Sequence, residues 1–80
     1  MTSSVRDIYL ERVDTTGNLS RFYVVEIQQD LFGETLIVRR WGRIGTHGRQ
    51  LASRTPSLVE ATKQFERWSS AKARRGYRQL

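Results

Sequence analysis

Eighty residues, 38% hydrophobic and 28% charged, supply one modest core and one domain, 1–80, but no second lobe around a deep cleft. Cysteine is absent and histidine occurs once, which excludes disulfides, thiolate chemistry and a histidine-built metal site. The net charge of +6 is unevenly placed: residues 1–38 hold three Arg against six carboxylates, and residues 39–80 hold eleven cations against two, so a polyanionic partner is favoured.

The opening segment, MTSSVRDIYLERV, has no basic stretch followed by an apolar run, and nowhere do about 18 apolar residues follow one another. The expectation is a cytoplasmic protein, nucleoid-associated if its ligand is DNA, with no membrane partner. Within that segment VRDIYLERV (5–13) alternates Ile8 and Leu10 against Asp7, Tyr9 and Glu11, which predicts a strand. DTTGNLS reads as a turn. RFYVVEIQQ (21–29) is β-branched and aromatic, with Tyr23, Val25 and Ile27 on one face. DLFGE closes a hairpin, Gly33 taking the positive φ that a short loop requires.

ETLIVRRWGRI (34–44) predicts a third strand, and GTHG turns it into a fourth, RQLASRT (49–55), which Pro56 stops. Ser57 and Glu60 then form a capping box. The helix it opens repeats Leu58, Ala61, Phe65 and Trp68 as one stripe that should pack on the sheet, with Phe65 and Trp68 in the core. Lys63, Arg67 and Arg74 fall on another face, and Gly76 ends the helix. The expected class is α+β: an antiparallel meander sheet of about four strands with one helix packed across it.

In a strand, residues two apart share a face at about 6.6 Å, so Arg39, Trp41 and Arg43 project together and Arg40 points the other way. A flat aromatic between guanidiniums suits nucleic acid, where bases or sugars stack and phosphates take the charge. Gly42 and Gly45 leave room for a close backbone or sugar. The competing reading is a core tryptophan in a strand that ends in solvated arginines. KARRGYR sets Lys72, Arg74, Arg75 and Arg78 around Tyr77, as a second phosphate patch or as a solvated helix end whose cations complement the dipole. Arg49 and Arg54 can extend the basic surface, and His47 reads as a turn residue.

No catalytic constellation is visible: the carboxylates lie mainly on the first two strands and their turns, and no nucleophile stands beside an activating base. GRIGTHG is followed neither by a helix nor by Gly-Lys-Ser or Gly-Lys-Thr, which argues against a phosphate-binding loop of the nucleotide-hydrolase type. The expectation is therefore no enzyme and no cofactor.

RFYVVEIQQ, LIVRRWGRIGTHGRQ and SLVEATKQFERWSSAKARRGY together resemble the WGR domain, over roughly residues 5–80. The resemblance rests on the Trp-Gly-Arg signature, the aromatic strand before it, the glycine turn after it, and the pattern of Ala61, Phe65, Lys72 and Gly76-Tyr77. It implies a curved antiparallel sheet with a helix against it. WGR domains occur in DNA-dependent poly(ADP-ribose) polymerases, where they bind near DNA ends, and in small bacterial proteins of unclear role. By resemblance Trp41 packs on a terminal sugar and Arg43 serves phosphate or partner contact, with Arg21 and Lys72 as further matching positions. The chain is expected to stand alone as a WGR protein, without the polymerases' catalytic domain or zinc fingers, so ADP-ribosylation is not carried over.

Two functional readings follow. The first is a non-enzymatic nucleic-acid-binding module, with DNA favoured, RNA open, and ends or breaks among its targets. The second is a protein-interaction module that docks an acidic partner through the same Trp-Gly-Arg surface.

Overall fold

The computed structural model describes residues 2–80, and the expected α+β architecture is what it shows. Strands β1 (Thr2–Asp14), β2 (Leu19–Asp30), β3 (Thr35–Arg43) and β4 (Arg49–Thr55) precede helix α1 (Leu58–Arg74) and a fifth strand, β5 (Arg78–Gln79). The sheet runs β4-β3-β2-β1-β5 and every pairing is antiparallel. The first four strands are the meander expected; the fifth, only two residues long, closes on β1 beside Leu10 and Glu11.

Local chemistry sets the turns. Asp14 accepts hydrogen bonds from Thr16 N and Oγ1 and from Gly17 N, an Asx-type turn, and these donors hold its carboxyl below the usual carboxylate range. Between β2 and β3 Asp30 accepts from Phe32 N and Glu34 N at 2.9 Å, while Gly33 takes φ +79°. Ser57 caps α1 by accepting from Glu60 N at 3.2 Å. At the other end Gly76 N donates to Ala73 O and Tyr77 N to Lys72 O, the pair of bonds of a Schellman stop, with Gly76 at φ +96°.

The helix lies on the face that carries Leu10, Tyr23, Val25, Ile27 and Ile37, and closes it with Ala61 and Phe65. Ile8, Trp41, Trp68 and Tyr77 pack around this cluster half-buried. Full burial of side chains such as Ile27, Ile37 and Phe65 is worth roughly 1.5–3 kcal/mol each. The stripe expected on α1 is shorter than its spacing implied. Leu58 stays exposed beside Val59, Thr62 and Lys63 in a shallow groove, and Trp68 is only partly covered.

The opposite face of the sheet carries no helix but does bury Phe22, which stacks on Tyr9 with centroids 6.1 Å apart and lies under the Arg40 guanidinium at 4.9 Å. Among the described residues no helix is long and apolar enough to cross a membrane.

Candidate nucleic-acid interface

The register of β3 decides what Trp41 meets. Trp41 lies opposite Tyr23 on β2 and Arg49 on β4, so the three side chains form one row on the helix side of the sheet. The C-terminal half of α1 passes over this row and leaves a cleft of about 250 Å³ lined by Tyr23, Arg39, Trp41, Trp68, Lys72 and Arg75. Its walls are aromatic and its rim is cationic.

The cations are held against the rings. The Arg39 guanidinium stands 4.0 Å from the Trp68 centroid, and Lys72 Nζ lies 4.8 Å from the Tyr23 ring and 5.2 Å from that of Tyr77. Tyr77, outside the cleft lining, meets Tyr23 edge to face at 6.4 Å. Partial burial pushes the Lys72 amine below its ordinary pKa, and repulsion from Arg75, Arg21 and Arg39 pushes it further. Burial raises the Tyr23 phenol, with Arg39 opposing.

The described residues form three ion pairs: Arg6 with Glu66, Arg54 with Glu34 and Lys63 with Glu60. None involves Arg21, Arg39, Arg43, Lys72 or Arg75. Crowded cations without a carboxylate raise one another's energy, and a bound anion removes that penalty.

Of the residues singled out from sequence, Trp41, Arg39, Lys72 and Arg75 line the cleft, and Tyr77 packs against its Tyr23 wall. Arg21 and Arg43 face each other directly one row further out, and Arg49 sits across from Trp41 on the edge strand. Arg40 is not with them: it lies on the opposite face over Phe22 and donates from Nη1 to His47 O at 3.0 Å. Arg74 is the last helical residue, exposed and outside the cleft lining. The bare face of Gly42 is taken by the chain itself, because a Cβ there would stand 2.8 Å from Gly48 Cα. The backbone that approaches Gly42 is that of its own loop. Trp68 lines the cleft although its helical spacing is that of a core stripe.

The family model described as the WGR domain matches residues 6–80. An uncharacterized protein of Sinorhizobium fredii is 36% identical over 78 residues, covering 98% of this chain and 38% of that protein. Poly(ADP-ribose) polymerase 2 of Zea mays is 28% identical over 64 residues, covering 78% of this chain and 10% of the polymerase. The chain thus spans well under half the length of either relative. With a matching model over nearly its whole length, the chain belongs to the WGR domain family.

Proposed function

We propose that the chain is a non-enzymatic nucleic-acid-binding module that prefers DNA, strand ends or breaks included. Trp41 is the stacking surface, and Arg39, Lys72, Arg75, Arg21 and Arg43 are the phosphate anchors. The observation that carries this reading is the cleft itself: aromatic rings from both the sheet and the helix, ringed by cations that no carboxylate neutralises among the described residues. That combination is how single strands and exposed ends are held, the rings taking bases or sugars and the cations following the backbone. Kinship with a poly(ADP-ribose) polymerase supports the same reading.

Fluorescence anisotropy with 5′-phosphorylated duplex, blunt unphosphorylated duplex, single-stranded DNA and RNA tests it. The expected result is salt-sensitive binding, strongest to one of the DNA probes, that Trp41→Ala weakens by roughly 1–3 kcal/mol while the protein remains folded. Binding indifferent to salt, or unchanged in Trp41→Ala, overturns the mechanism.

A second reading has its own support, because a cleft of tryptophans and arginines is also the composition of a protein-binding hot spot. On that reading an acidic partner segment occupies the same cleft. Capture from lysate with and without nuclease separates the two: nuclease-resistant capture that depends on Trp41 and Arg43 favours the protein partner.

A further inference from the structure

Arg12 comes from the acidic half of the sequence, yet the fold delivers it to the basic face. Its register partner on β2 is Arg21, and the register partner of Arg21 on β3 is Arg43. The three arginines therefore stand in one line perpendicular to the strands, on the same side as Leu10, Tyr23 and Trp41, in the row next to the cleft. Like charges directly opposite in a sheet are unfavourable, and here two such pairs occur in series. None of the three arginines is ion-paired among the described residues, although Arg12 lowers the pKa of nearby Asp14. The turn after α1 reaches the Arg12 end of this line. Gly76 lies so close to Arg12 that a Cβ there would be 3.5 Å from Arg12 Nε, in ordinary contact.

We infer that Arg43, Arg21 and Arg12 form a phosphate-binding track that carries one nucleic-acid strand from the mouth of the cleft across three β-strands to β1. The inference rests on the nucleic-acid reading above and extends it by a direction and by Arg12. Neighbouring strands are about 4.8 Å apart, so the track is roughly 10 Å long before side-chain reach is added. At one phosphate per 3.4 Å of axis in each strand, that length covers about three phosphate intervals, enough for each guanidinium to meet a different phosphate. The ligand class is a continuous phosphodiester backbone rather than a lone phosphate. Contacts of this kind fix position and are indifferent to base sequence.

The test is the salt dependence of binding to a labelled blunt DNA duplex for the wild type, Arg12→Gln, Arg12→Lys, Arg21→Gln and Lys63→Gln. Lys63 lies near the N-terminal end of the helix, outside the cleft, and so controls for net charge alone. The slope of log affinity against log salt should fall in magnitude by about 0.9 in Arg12→Gln and in Arg21→Gln, and stay near wild type in Arg12→Lys and Lys63→Gln. Arg12→Gln should also melt no lower than wild type at low salt, because repulsion from Arg21 is relieved; that readout separates a lost contact from a lost fold. If Arg12→Gln behaves as Lys63→Gln does while Arg21→Gln and Trp41→Ala weaken binding, the track is refuted and the cleft stands. If the wild type binds none of the nucleic-acid probes, both fall together.

Discussion

Lys72 is placed where its charge is least comfortable, partly buried against Tyr23 and Tyr77, with Arg21, Arg39 and Arg75 as its charged neighbours. Folding disfavours the ammonium there, so its pKa lies below the ordinary 10.5. For a base held down in this way, protonation penalises the fold at every pH below the depressed value, and the penalty disappears above 10.5. A bound phosphate reverses the sign by stabilising the ammonium. Binding must then take up a proton in the window between the depressed value and the bound one. Affinity should accordingly fall as pH rises through that window, by about tenfold if the contact is worth ~1.5 kcal/mol. Lys72→Arg should remove the decline, because a guanidinium keeps its charge across the whole range. Anisotropy from neutral pH to 10.5 checks this; an equal decline in both proteins would mean that Lys72 is not the titrating contact.

At the level of elements, the Trp-Gly-Arg triplet does three separate jobs on β3. Trp41 faces the helix side, and Arg43 on the same side faces Arg21. Gly42 faces away and lets the β3–β4 loop close over Phe22. The loop is bound by Thr46, whose N and Oγ1 both donate to Arg43 O, and by Arg40, which holds His47 O. Gly48 completes it at φ +76°, and a Cβ there would collide with the Trp41 carbonyl oxygen and come within 2.7 Å of Phe22 Cζ. Gly48→Ala should therefore cost at least about 1–3 kcal/mol by thermal denaturation and loosen Trp41 with it. A Gly48→Ala protein of wild-type stability would show that the loop has another way to close. The alternation of β1 to β3 and the caps of α1 are legible in sequence because each is written in residues a few positions apart. The pairing of Arg12 with Arg21 is not, because register is a long-range property, and β5 is not, because two residues carry no period. Spacing likewise told which way Trp68 points but not how much of it the sheet would cover.

Across the whole molecule charge is sorted by sheet face as well as by half of the sequence, and the two sortings differ: Arg12 and Arg21 come from the acidic half yet lie on the helix side, while Arg40 and Arg54 come from the basic half yet lie on the other face. The face without the helix carries Glu11, and it sets Asp7 directly opposite Glu26, while the helix side carries the arginine row and the cleft cations. Glu11 accepts from Tyr9 Oη and Glu26 from Gln28 Nε2, and none of these acids is ion-paired among the described residues. The principal dimensions are 47, 23 and 18 Å, and the shortest of these sets the scale on which charges on the two faces are separated. The Debye length is about 30 Å at 0.01 M salt and about 8 Å at 0.15 M. At low salt the acidic face therefore lies within reach of a polyanion on the basic face, and at physiological salt it does not. A charge pair 18 Å apart in water is worth ~0.2 kcal/mol, and several phosphates add. The double substitution Asp7→Asn with Glu26→Gln should then tighten DNA binding about twofold to fivefold at 0.01 M and leave it unchanged at 0.15 M. Arg21→Gln should weaken binding at both salts. An equal gain at both salts would mean that the ligand touches the acidic face directly, and the division of labour between the two faces would be wrong.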